Sequence, residues 1–160
     1  MAQDTASAYL TTKVMTASPE ELRLMLLDGA IKFTRQGREG LAAKNFEMVH
    51  HGFSRARSIL LELVNSMRRE VDPALCDRLS GLYMFMFREL FEAGHSRDVA
   101  RADKVIELLE YDRETWLLLI EQLVRERQAS QGIRERVAAG QPAQQAAPGG
   151  EGYSPLSISG

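Results

Sequence analysis

Glu47 and His50, and again Glu92 and His95, stand three residues apart, so on a helix each pair projects from one face. Two such pairs, completed by a glutamate from each of two further helices, hold the metal ions of di-iron bundles. In an antiparallel arrangement the segment beginning near Glu47 and the segment ending near His95 share an end, so the pairs are candidates to meet. Three features argue against that chemistry. Glu47 and His50 flank the apolar seam of their segment instead of centring it, His95 lies beyond Gly94 at a terminus, and the first long helix offers only Glu39 near that end, past a glycine. The expectation is therefore no metal site, no cofactor, and surface or capping roles for His50 and His95; His51 has no constellation.

Other chemistries find less. Cys76 is the single cysteine, has no basic partner specified by sequence, and reads as a small buried hydrophobe; alone it excludes an internal disulfide framework and is compatible with a reducing compartment. No Ser-His-Asp order, glycine-rich phosphate loop or dinucleotide fingerprint is evident. Arg55, Arg57, Arg68 and Arg69 read as solvated helix faces, and with a formal charge of -2 over 160 residues nucleic acid is not the expected partner. No catalytic residue is assigned. Apolar residues make up 44 % of the chain, enough for a core, yet no run approaches the length of a membrane span and no secretory signal is visible. Cytoplasmic residence without stable membrane insertion is expected.

The elements that position these residues are helical. Ser18-Pro19 with Glu21 spells an N-cap, a proline at the first helical position and a capping box. Leu22, Met25 or Leu26, Ala30 and Phe33 form one stripe, with Leu24, Leu27 and Ile31 beside it. Gly37 and Gly40 are expected to end this helix. Phe46, Val49, Phe53, Ala56, Leu60, Leu63 and Met67 then keep steps of three and four, with Gly52 open to close approach by a neighbour. Asp72-Pro73 opens a third helix along Leu75, Leu79, Leu82, Met86 and Leu90, which Gly94 should stop. Ser96 should cap a fourth along Val99, Ala102, Ile106, Leu109, Trp116, Ile120 and Leu123; whether it bends or breaks at 110–113 stays open. The fold class is all-α, an antiparallel up-down four-helix bundle (17–128) with an N-terminal arm or short cap segment (1–16) and a disordered tail (129–160), the composition turning to Gly, Pro and Gln after Arg136.

One core cannot hide all the apolar surface. The window from Met84 to Phe91 has six large apolar side chains that, at 100° per residue, point to nearly every side of the helix. Leu24 and Leu27 raise the same difficulty on the first helix, and Leu117, Leu118 and Leu119 on the fourth. A contiguous uncovered patch of this kind fits a different chain, a homodimer face, or simply a richer core.

The run from Thr16 to Phe33, TASPEELRLMLLDGAIKF, preceded by Tyr9 in an arm, resembles the opening of the flagellar secretion chaperone family FliS. The similarity continues through Ala56, Arg57, Ile59, Leu60 and Leu63, then Leu82, Tyr83, Met86, Arg88, Leu90, Glu92 and Ala93, then Val105, Leu108, Leu109, Arg113 and Trp116, covering roughly residues 5 to 125. Departures are Leu27, where the family usually has Tyr or Phe, Phe85 and Phe87, where Tyr is common, and a longer tail.

The resemblance implies no enzyme. It implies a cytoplasmic chaperone that holds the C-terminal segment of flagellin in an apolar groove, blocks premature polymerisation and aids delivery to the flagellar export gate, with a regulatory co-partner as a further candidate. It also implies an arm that lies over part of the groove when the client is absent. The client surface expected on that basis is Tyr9, Leu10, Met25, Leu60, Tyr83, Met84 and Phe87, with Asp28 bonding client backbone. The alternative is a homodimeric helical adaptor for another export component, without flagellin affinity.

Overall fold

Ser18 opens the first helix to carry buried residues, and it does so as a complete capping box. The Glu21 amide donates to Ser18 Oγ and the Ser18 amide to Glu21 Oε2, both at 3.2 Å, with Pro19 occupying the first turn where no donor is needed. A computed structural model describes residues 2–140, and all of its secondary structure there is helical. The helices are α1 (Ala2–Thr16), α2 (Pro19–Ala42), α3 (Phe46–Asn65), α4 (Pro73–Ser96) and α5 (Val99–Ala138). Asn45 and Asp72 cap α3 and α4 by accepting from the amides of Met48 and Leu75, at 3.2 and 3.1 Å.

Five helices replace the expected four because the arm is itself helical. In α1 the hydroxyls of Thr11, Thr12 and Thr16 donate to carbonyls four residues back, and no residue is buried. Its sequence has no apolar stripe because no face is covered, so a search for periodicity passes over it. At the other end α5 continues past residue 128 to Ala138, and 141–160 of the expected tail lie outside the described residues. The chain divides into two compact units, 1–121 and 122–160. Within the second, the described residues are the closing turns of α5, with Val124, Ile133 and Val137 exposed.

In the first unit the core is built by four helices. Leu27 of α2, Leu60 and Leu63 of α3, Tyr83, Met86 and Leu90 of α4, and Val105 and Leu109 of α5 are essentially inaccessible. Each large aliphatic side chain so buried contributes ~1.5–3 kcal/mol. Thr34, the one buried polar residue among those described, satisfies its hydroxyl on the Ala30 carbonyl at 2.7 Å. Along α4 the period holds but the phase shifts: Cys76 and Tyr83 are buried, whereas Leu75 is exposed and Leu79 and Leu82 are half-buried. Phe46, expected in the seam of α3, is 46 % exposed.

Three expected punctuation marks prove to be something else. Gly37 and Gly40 lie inside α2, which ends at Ala42. A Cβ on Gly37 would stand 2.3 Å from the Phe53 ring, one on Gly40 2.8 Å from the Val49 amide, and one on Gly52 2.5 Å from the Gly37 amide. These glycines let the backbones of α2 and α3 touch, and with Gly29 against Ile59 they show the two helices running in opposite directions. Gly94 likewise does not stop α4, which ends at Ser96 with Arg97 in the left-handed conformation (φ 55°), and Asp98, not Ser96, accepts from an α5 amide (Ala100, 3.0 Å). α5 is continuous through 110–113, where Arg113 turns outward to pair with Asp28.

The glycine contact yields a paired expectation. Gly52→Ala forces a methyl group into backbone and should lower unfolding free energy in urea by at least about 2 kcal/mol. Gly81→Ala sits in α4 with nothing within 4 Å of the added carbon, so it should raise it by roughly 0.5–1 kcal/mol.

Candidate functional site

The α3 and α4 helices enclose a groove of about 260 Å³. Its floor is Val49, Phe53 and Leu90, all core residues; its walls are Phe46 and Phe91, 46 % and 55 % exposed, with His50, His95 and Arg57. Helical spacing explains the cluster. Phe46, His50, Phe53 and Arg57 recur at three and four on α3, and Phe91 and His95 are one turn apart on α4, their rings stacked with centroids 6.3 Å apart. The Arg57 guanidinium lies over both Phe87 and Phe91, 5.5 Å from each centroid, and Arg97 lies 4.2 Å over Phe46. Both ExxH histidines therefore reach one groove. Among the described residues no three His, Cys, Asp or Glu side chains gather as a metal would require.

A second, larger concavity, about 1190 Å³, lies between α2 and α5 and is of another character. Asp28, Arg35, Glu110 and Arg113 line it, and they are already matched, Arg35 with Glu110 and Arg113 with Asp28. Arg38 and Asp103 add a further pair at 2.8 Å. The pairs are well exposed, so each contributes little to stability.

A part-buried polar chain centres on Tyr83. Tyr83 is wholly inaccessible as a residue, yet its hydroxyl donates to Asp112 Oδ2 and accepts from Arg23 Nη2, each at 2.5 Å. Arg23 in turn lies 5.0 Å from the Trp116 ring centroid, and Trp116 Nε1 donates to the Glu20 carbonyl at 3.0 Å. Burial, more than the neighbouring Asp112, pushes the phenol pKa far above its ordinary value, with Arg23 pulling the other way.

The expected client residues fall in three places. Tyr9 and Leu10 project from α1 into solvent, so the arm covers no groove in this conformation. Met25, Met84 and Phe87 are half-buried, Phe87 packing on the core beneath Arg57. Leu60 and Tyr83 are interior and support the surface without reaching it. Asp28 is occupied by Arg113. Of the residues held in doubt as surplus, Phe85 is exposed and Met84, Phe87 and Leu24 are only half-covered. Sequence reading missed Phe46, Phe91 and Arg57 as a unit. The i, i+4 pair Phe87–Phe91 was a usable signal, but nothing local ties Arg57 to it.

Comparison with known proteins gives a consistent result. The family model described as flagellar protein FliS matches residues 1–123. The flagellar secretion chaperone FliS of Bacillus subtilis (strain 168) is 28 % identical over 131 residues, 82 % of this chain and 97 % of that protein. Its counterpart in Vibrio cholerae serotype O1 is 27 % identical over 105 residues, 66 % of this chain and 77 % of that one. The protein of the same name from Campylobacter jejuni is 26 % identical over 110 residues, 69 % and 86 % of the two chains.

The buried phenol carries a pH signature. Because its folded pKa is raised, its stabilising contribution is complete below the unfolded value of 10.0 and is lost as pH rises beyond it. Tyr83→Phe should cost about 1–3 kcal/mol near neutrality by leaving Arg23 and Asp112 without their shared partner. Urea titrations from pH 8 to 11 should show the wild type losing stability above about pH 10 more steeply than the variant.

Proposed function

The chain belongs to the FliS family, a family of chaperones and not of enzymes, and from that premise we propose that it holds the C-terminal segment of flagellin until export. In this reading α2–α5 form an antiparallel up-down bundle, α1 is the arm, and the residues after Ala138 are the tail. The work takes place in the cytoplasm, before delivery to the flagellar export gate. Consistent with this, no helix among the described residues is long and apolar enough to cross a membrane.

The observation that carries the proposal is the apolar groove between α3 and α4, where Phe46 and Phe91 stand exposed over a floor of core side chains. An amphipathic client helix covering two such rings gains ~1.5–3 kcal/mol from each, less the cost of ordering the client. That is the helix-in-groove mode, in which a chain without structure of its own folds as it binds. Holding the client in this way keeps its apolar face from pairing with other flagellin copies. Tyr9 and Leu10 are exposed on α1 and free to contact either client or groove rim, while Met25, Met84 and Phe87 extend the apolar surface beyond the groove. A regulatory co-partner would find the α2/α5 face available.

Calorimetry with a peptide comprising the C-terminal segment of the host's flagellin should give one-to-one, saturable binding with a negative heat-capacity change. Phe91→Ser should weaken it by about tenfold or more while changing unfolding free energy by less than about 1 kcal/mol, since the ring is half in water already. Sedimentation showing a free dimer, together with no heat across a wide concentration range, would favour the homodimeric adaptor instead.

A further inference from the structure

Arg57 is the unusual member of the groove. Its Nε is buried and has no hydrogen-bond partner among the described residues, and its guanidinium lies over the faces of Phe87 and Phe91. On the opposite face, by contrast, Arg35, Arg38 and Arg113 each hold a carboxylate. Arg97, the other arginine at the groove, also rests on a ring, that of Phe46. No Asp or Glu lines the groove, while His50 and His95 do. The site thus combines exposed aromatic surface with one buried donor, Arg57 Nε, that no described residue satisfies. A carboxylate would meet such a guanidinium with charge-assisted, two-pronged geometry.

We propose that the α3/α4 groove is a carboxylate seat, in which Arg57 receives the side chain of an Asp or Glu from an amphipathic client helix whose apolar residues cover Phe46 and Phe91. This rests on the chaperone reading above and adds to it the chemistry by which a client is registered in the groove. Apolar contact alone lets a helix slide by a turn, because one greasy residue replaces another. A single acid meeting Arg57 fixes the turn. Approach of the acid requires only that the guanidinium rotate on its stem between the rings, so that Nε and an Nη both face the groove.

The test uses the full chain and the flagellin C-terminal peptide, with each Asp and Glu of the peptide replaced in turn by Asn or Gln. Arg57→Met keeps the stem and the ring contacts. It should leave the melting temperature of the free protein unchanged or higher, because an unsatisfied buried donor is gone, yet weaken the peptide by about tenfold or more. One neutralised peptide should bind wild type as weakly as the intact peptide binds Arg57→Met, and should lose nothing further with that variant. Arg57→Lys should recover only part of the loss. Equal affinity of wild type and Arg57→Met for the intact peptide overturns the seat and leaves the chaperone reading standing. A loss that appears only when the peptide's terminal carboxylate is amidated overturns the side-chain assignment. Absence of any binding to the wild type overturns both.

Discussion

The structure depends on two backbones touching. At Gly37, Gly40 and Gly52 the helices α2 and α3 approach so closely that a methyl group on any of them would meet backbone or the Phe53 ring. Helix axes held apart by ordinary side chains stand 8–10 Å from one another; glycines on facing turns remove that spacer. The consequence runs outward. With α2 drawn onto α3, the Phe53 ring is turned across Gly37 and becomes the floor on which the α3/α4 groove rests.

A second constraint acts at the far side of the core. Tyr83 takes a position that a leucine could fill, and its hydroxyl must then be satisfied without water. Arg23 from α2 and Asp112 from α5 supply the two partners, so three helices are tied at one atom. Arg23 and Asp112 are opposite charges with a neutral phenol between them, which avoids the cost of burying either charge alone. Trp116 then covers Arg23 and bonds the Glu20 carbonyl in the first turn of α2, joining the capped end of that helix to α5. Polar groups here fix which helix faces which, a task that interchangeable leucines do poorly.

The two faces of the first unit divide their charge differently. Between α2 and α5 the arginines meet carboxylates of the same chain. Between α3 and α4 Arg57 rests on the rings of Phe87 and Phe91. The first arrangement matches those arginines within the chain, whereas Arg57 keeps a buried Nε without a hydrogen-bond partner among the described residues. The family, with 26–28 % identity to named chaperones, and the unpartnered Arg57 Nε in the groove are the two observations on which the proposed seat rests.

What the amino-acid order alone determined is local or periodic. The capping box at Ser18, the cap at Asp72, the buried rows of α3 and the surplus of apolar residues near Met84 all follow from chemistry within a few residues, and so does the motif that resembles the FliS opening. Tertiary structure decided the rest. Gly37 is a helix terminator or a helix contact depending on whether Gly52 lies against it, fifteen positions away, and no local pattern states that. α1 shows no stripe because nothing covers it. The phase of α4, with Tyr83 inside and Leu75 outside, is set by partners 60 and 29 residues distant from Tyr83, and the meeting of Arg57 with Phe87 and Phe91 is set the same way. An α-helix offers all its faces to the sequence reader at once; only packing against other helices chooses which are kept for the interior and which are left for a partner.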